Sequence, residues 1–241
     1  MASECGLLLI GHGSAGLALP FGALAAQLRA RAGYDEVACA FVKQGPPLRD
    51  ALSLVSSSHV DVLPMFLGSG HYTETVIPQA LGLAGAMTVQ SGRTITLLPP
   101  AGHLPRMPGA VAGCAVRTAR GAGYAVASTS LLLVAHGSRR GDGAVAARNI
   151  AAAIAASRCF GEVALAFLEE EPHLAHWRQL VQGRHVLVQP LMMAAGIHSE
   201  RDIPALLALK SGEDRRITIA PPLGDGAGLA ELVNGWCPTN R

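Results

Sequence analysis

One apolar run that ends in a histidine occurs twice in this chain. Leu7-Leu8-Leu9-Ile10-Gly11-His12-Gly13-Ser14 returns as Leu131-Leu132-Leu133-Val134-Ala135-His136-Gly137-Ser138, 124 positions later. Each copy reads as a buried strand that delivers a histidine to its carboxyl end. The glycine after it permits a tight turn, and the serine can cap a following helix. A repeat that keeps chemistry as well as hydrophobicity points to two related half-domains.

The order of elements persists beyond the first strand. Helical stretches are expected over 20–32 and 143–157, then short apolar strands at Val37–Phe41 and Val163–Phe167, at an offset of 126. Helix starts follow at Pro47-Leu48 and Pro172-His173-Leu174. Third strands come at Val60–Phe66 and His185–Met193, where Pro64 and Pro190 keep the offset of 126. After them stand Gly70-His71 and Gly196-Ile197-His198, then Ile77-Pro78 and Ile203-Pro204. Last strands are expected over 94–100 and 216–222. Short continuous apolar strands alternating with helices predict parallel sheet buried on both faces, with right-handed crossovers. The expected fold is α/β: two tandem lobes, each a parallel four-stranded sheet flanked by helices. A Pro- and Gly-rich link over 99–123 closes the first lobe, which gives lobes of 1–126 and 127–241.

Composition narrows the partners. A chain of 241 residues, half of them hydrophobic, has room for two small domains with real cores. A formal charge of +2 and 4% aromatic residues supply neither the basic patch nor the stacking platform of a nucleic-acid binder. No apolar run reaches the roughly 18–20 residues of a membrane span. The first strand begins too close to Met1 for a signal peptide, so a cytoplasmic protein away from membranes is expected. Cys5, Cys39, Cys114, Cys159 and Cys237 are scattered without a Cys-x-x-Cys. That pattern signals neither a zinc ribbon nor a typical iron–sulfur cluster.

In open parallel sheets, ligands bind beyond the carboxyl ends of the strands. His12 and His71 follow the first and third strands of half one, and His136 and His198 do so in half two. Neutral imidazole binds Fe²⁺, Co²⁺, Ni²⁺ or Zn²⁺ and takes up protons near neutral pH. Two histidines without thiolates suit an open, weak metal site rather than a closed structural one. Arg139, Arg140 and Arg201 beside these turns suit carboxylates, which arginine binds as bidentate pairs. Glu169 and Glu170, at the end of the second strand of half two, are candidate metal ligands or proton acceptors. Half one has Lys43-Gln44 in their place. His12-Gly13-Ser14-Ala15-Gly16 also echoes the Gly-x-Ser-x-Gly elbow of serine hydrolases. The second copy keeps His-Gly-Ser but places Arg140 where the elbow needs glycine, which weighs against a nucleophilic Ser14.

The strand-end His136-Gly137-Ser138-Arg139, with Phe167-Leu168-Glu169, Pro190-Leu191 and Gly196-Ile197-His198 before Asp202-Ile203-Pro204, resembles the class II chelatases of tetrapyrrole biosynthesis. These are the sirohydrochlorin cobalto- and ferrochelatases, and the resemblance covers essentially the whole chain. It implies two flavodoxin-like lobes with a cleft between them, in the long form with fused halves, for which a monomer suffices. It also implies insertion of a divalent metal, Co²⁺ or Fe²⁺ with Ni²⁺ as a further candidate, into sirohydrochlorin without a nucleotide. The family's metal-site histidines map onto His136 and His198. Half one departs from the pattern: Val76-Ile77-Pro78 replaces Asp202-Ile203-Pro204, and His71 stands one position early. His12 and His71 remain the alternative pair.

On this reading the histidines hold the metal and accept pyrrole protons, which Glu169 or Glu170 helps carry away. Ser138, Arg139, Arg140, Gly196 and Arg201, with Ser14 and Gly70, meet the ring and its carboxylates. The rival of a different class is a non-catalytic carrier of tetrapyrrole or metal on the same fold.

Overall fold

In the first half, the apolar run becomes the centre of a sheet. The computed structural model describes residues 5–13, 21–31, 33–45, 47–137, 142–208, 214–225 and 229–232. Strand β1 (Cys5–Gly11) is buried along its whole length. Helix α1 (Gly22–Arg31) connects it to β2 (Glu36–Phe41), which pairs parallel to β1. Strand β3 (His59–Pro64) pairs parallel to the other side of β1, with Ile10 opposite Pro64. A short helix α2 (Ile77–Leu81) follows, then β4 (Met87–Gln90) and β5 (Arg93–Leu97).

The sheet order is β2-β1-β3-β5-β4. Alternate residues of a strand face opposite sides. Leu8, Ile10, Val60, Val62 and Ile95 therefore share one face, packed against Leu48, Ala51, Val55, Ile77 and Leu81. Each side chain of this kind contributes roughly 1.5–3 kcal/mol by leaving water.

The first sheet has five strands rather than the expected four, because β4 folds back antiparallel on β5. Ser91 and Gly92 turn the hairpin with φ of +51° and +74°, the double left-handed turn that matches strand twist. Met87 and Val89 on this edge strand are 67% and 71% exposed. A strand that faces water lacks the continuous apolar run by which the others are recognised.

The second half repeats the plan. Helix α3 (Met107–Gly121) precedes β6 (Ser130–Ala135), which is buried throughout. Helix α4 (Gly143–Ala156), β7 (Glu162–Phe167), the short α5 (Trp177–Leu180), β8 (His185–Pro190), α6 (Ile203–Leu207) and β9 (Arg216–Ile219) follow. All pairs are parallel in the order β7-β6-β8-β9, a four-stranded sheet as expected. Its core gathers Leu132, Val134, Val186 and Val188 with Trp177, Ile203 and Leu207.

The packing units divide at a different place from the sequence repeat. The described residues up to Leu104, with Leu229–Leu232, form one unit, and those from Pro105 to Asp225 form the other. Helix α3 lies within the span expected to close the first lobe, yet it packs on α4 and β8. Its buried residues Met107, Ala110, Val111, Cys114, Ala115 and Ala119 recur at helical spacing, and the small ones allow close approach. Tyr124, just beyond α3, stacks on His185 with ring centroids 4.5 Å apart and accepts a hydrogen bond from Thr218. The expected division at 126/127 thus follows the duplication, whereas packing begins the second unit at Pro105. Among the described residues, no helix is long and apolar enough to cross a membrane.

Candidate metal centre

Strand order sets the position of the histidines. In each sheet the chain leaves the first central strand toward one edge and the second toward the other. The crevice between their carboxyl ends is the topological switch point where such sheets bind ligands. In the second unit these strands are β6 and β8. The Leu191 N–H donates to the Val134 carbonyl at 2.7 Å, so the two strands end level.

Gly137 turns the chain at the end of β6 with φ of +79°. A Cβ there would lie 2.9 Å from Glu170 Cγ, so both the conformation and the space require glycine. The turn folds the His136 ring back, with Nδ1 2.8 Å from the Gly137 carbonyl. A carbonyl only accepts, so Nδ1 carries the proton and Nε2 presents a lone pair. The Glu169 N–H donates to the His136 carbonyl at 3.0 Å, which ties the end of β7 to this turn.

His198 is placed by a different device. The Gly196 N–H donates to Ser199 Oγ at 3.0 Å, and the same hydroxyl lies 3.0 Å from the Gly196 carbonyl. The chain then makes one wide turn over His198–Asp202, closed from the Ile203 N–H to the His198 carbonyl. Such i→i+5 turns recur at functional sites. His198 Nδ1 lies 2.8 Å from Asp202 Oδ2, and Arg201 Nε donates to Asp202 Oδ1 at 3.0 Å. These two bonds, Arg201's first and His198's second, hold the Asp202 carboxyl below the usual carboxylate range.

The two rings meet edge to face, with centroids 4.6 Å apart and planes at 82°. Their Nε2 atoms are 3.2 Å apart, and the side chains are 45% and 47% exposed. Since both Nδ1 atoms have acceptors as partners, two lone pairs face each other. That arrangement calls for a shared cation, either a proton or a metal. With metal–nitrogen bonds of about 2.1 Å, this separation corresponds to an angle of about 100° at the ion, as between adjacent ligands. Among the described residues, no set of three or more His, Cys, Asp or Glu side chains is arranged to hold a metal. What the site offers is two imidazoles, with Glu169 Oε1 3.6 Å from His136 Nε2.

The other candidate residues separate clearly. Glu170 turns to Arg148, at 3.2 Å, and Arg148 lies over the Phe167 ring. Arg201 is engaged by Asp202 while remaining 74% exposed. The Gly196 and Gly70 N–H groups are occupied by the Ser199 and Thr73 hydroxyls. Ser14, Ser138, Arg139 and Arg140 lie outside the described residues. Asp202, which in the sequence stands out only as part of the Asp-Ile-Pro motif, has an active position in the geometry. Its i,i+4 spacing from His198 was the signal available.

The first unit makes the same turns with other side chains. Gly13 has φ of +76°, and His12 Nδ1 lies 2.9 Å from the Gly13 carbonyl. The Gly70 N–H donates to Thr73 Oγ1 at 2.9 Å, before a wide turn over Tyr72–Val76. At this constant offset the counterpart of His198 is Tyr72 rather than His71. Accordingly His12 meets Tyr72 edge to face, with centroids 5.1 Å apart and planes at 83°. Among the described residues, no ring contact or hydrogen bond joins His12 to His71.

Two flavodoxin-like units with a histidine pair at the switch point of one sheet define a chelatase-like protein. The chain belongs to the CbiX family, whose model matches residues 6–115 and 130–235. It is 29% identical over 219 residues to the probable sirohydrochlorin cobaltochelatase of Halobacterium salinarum, covering 82% of this chain and 75% of that one. A multi-domain protein of Deinococcus radiodurans, reported as structurally similar to chelatases, matches with a TM-score of 0.83 and 29% identity. That match covers 96% of this chain but 54% of the other, so the chain spans about half of that protein. CbiX, the terminal enzyme of siroheme biosynthesis in denitrifying bacteria, matches with a TM-score of 0.72 and 26% identity, covering 95% and 96%.

Proposed function

We propose that this chain inserts a divalent metal, Co²⁺ or Fe²⁺ and by its ligand chemistry also Ni²⁺, into sirohydrochlorin without a nucleotide. The observation that carries the reading is the 3.2 Å separation of two imidazole nitrogens whose partners leave both lone pairs turned inward. Relatives named for sirohydrochlorin metallation supply the substrate. In the reaction, two inner pyrrole N–H bonds break, the metal ends bound to all four ring nitrogens, and two protons leave.

His136 and His198 hold the incoming metal as a weak bidentate site and release it as the ring nitrogens replace them. Each imidazole freed in this way can accept a pyrrole proton. Glu169, beside His136, is the exit for those protons. Glu170, paired with Arg148, takes the structural part. Arg201, Arg139 and Arg140 pair with peripheral carboxylates, and Ser138 adds a hydroxyl for the same substrate. At Gly196 a Cβ would meet nothing within 4 Å, which leaves room for a flat ring.

Metal insertion, followed by the visible spectrum of sirohydrochlorin with Co²⁺ or Fe²⁺, tests this reading. His136→Ala and His198→Ala should each slow insertion by about 10²-fold or more, the usual range for a proton-transfer group. His12→Ala and His71→Ala should leave it near wild type. Full activity in folded half-two variants would refute the site, and ring binding without faster metallation would make the protein a carrier.

A further inference from the structure

The wide turn that carries His198 occurs twice in the chain, which provides an internal control for the side chains on it. In the second unit the turn reads His198-Ser199-Glu200-Arg201-Asp202, and in the first Tyr72-Thr73-Glu74-Thr75-Val76. The backbone device is shared: a glycine N–H held by a hydroxyl, then an i→i+5 hydrogen bond, then Ile-Pro opening a helix. Since the first unit makes it with Val76, the turn does not need the Asp202 carboxylate. Three side chains differ together at the positions of the imidazole, the guanidinium and the carboxylate. In the second unit those three are bonded in series, Arg201 to Asp202 to His198. A carboxylate that the fold does not require, and that touches the one imidazole the first unit lacks, serves that imidazole.

We infer that Asp202 is a positioning residue that fixes His198 as its Nδ1-protonated tautomer and aims Nε2 at the metal, with Arg201 holding the carboxylate in place. This rests on the assignment of His136 and His198 as the metal-holding pair. The chemistry is that of a ligating histidine whose second nitrogen donates to an outer carboxylate. Free imidazole exchanges its proton between both nitrogens, and a proton on Nε2 would block the ligand position. Asp202 removes that choice before the metal arrives. His136 is served more simply by the Gly137 carbonyl, because a backbone acceptor comes with the turn itself.

Asparagine at this position reverses the hydrogen-bonding demand on the ring. Arg201 requires an acceptor, so Asp202→Asn should give its oxygen to Arg201 and its NH₂ to His198. An NH₂ donor facing Nδ1 forces the imidazole proton onto Nε2. Long-range ¹H–¹⁵N spectra of the metal-free protein distinguish the two tautomers. Wild type and Asp202→Glu should show His198 protonated at Nδ1, and Asp202→Asn should show it at Nε2. Co²⁺ affinity should fall about 10–100-fold in Asp202→Asn, with the KM for Co²⁺ rising and that for sirohydrochlorin unchanged. Asp202→Val copies the first unit's turn, so it should fold and should also bind Co²⁺ more weakly than wild type. Wild-type His198 with its proton on Nε2 and none on Nδ1, or wild-type Co²⁺ affinity in both Asn and Val variants, would overturn the inference. Undiminished Co²⁺ binding and insertion in His198→Ala would instead overturn the site assignment.

Discussion

Gly137 and Gly13 do the same backbone work in unequal company. Both hold φ near +75° to +80°, and at both a Cβ would come within 2.9 Å of a neighbour, Glu170 Cγ or Gln44 Cβ. An alanine in this region costs of order 1–3 kcal/mol, before any shift of the crowded neighbour. Gly137→Ala and Gly13→Ala should therefore lower stability alike, read as a fall in thermal midpoint. Metal insertion should separate them, because only Gly137 turns a member of the imidazole pair. A tenfold or larger loss is expected for Gly137→Ala and little change for Gly13→Ala; equal losses would mean that both turns serve the chemistry. These glycines and the histidines before them were legible in the sequence, because His-Gly-Ser directly after an apolar run marks a strand-end turn, and it does so twice. The partner of His12 was not. Matching imidazole to imidazole sets His71 against His198, whereas the hydroxyl cap sets Tyr72 there, and a hydrogen-bonded turn leaves little trace in one sequence. Nor could spacing separate Glu169, Glu170 and Glu171. Successive residues after a strand point apart, and they reach His136, Arg148 and the His173 N–H respectively.

Elements buried on both sides were the readable ones. Strands β1 and β6 are apolar runs because both their faces are buried, and β3 and β8 are, beyond their first residues, apolar apart from the buried Asp61 and Gln189. Strand β4 went unread because its alternate residues face water. The amino end of the sheet carries a device with no motif at all: Glu36, at the start of β2, accepts hydrogen bonds from the backbone and hydroxyls of Ser56 and Ser57. The Ser57 hydroxyl is the largest cause, and together these donors bring the Glu36 carboxyl from 4.5 down to about 2. A carboxyl depressed by folding stabilises the native state above its unfolded value. That contribution is lost as pH falls from about 4.5 toward 2. Glu36→Gln should thus cost about 1–2 kcal/mol at neutral pH, toward the low end for a charged acceptor because the group is partly exposed. In urea unfolding, the gap between variant and wild type should narrow as pH drops through that window. A gap that stays constant to pH 2 would mean that shape rather than charge makes the staple.

At the scale of the molecule, the two units share one scaffold and differ in the chemistry it holds. The first unit already has His12 with Nδ1 committed to the Gly13 carbonyl, facing the ring that stands where His198 stands in the second. What it lacks lies on one turn: Tyr72 for the histidine, Thr75 for Arg201 and Val76 for Asp202. If the metal site is a property of these side chains on a common backbone, transplanting them should transplant the site. The combined variant Tyr72→His, Thr75→Arg, Val76→Asp should raise Co²⁺ binding from about one ion per chain to about two, measured by titration under equilibrium dialysis. Adding His198→Ala should return it to about one, now held by the first unit. Tyr72→His alone should give a weaker second site, because its imidazole would have no carboxylate to set the tautomer. A stoichiometry that stays at one in the combined variant would place the difference between the units in the strands and helices beneath the turn.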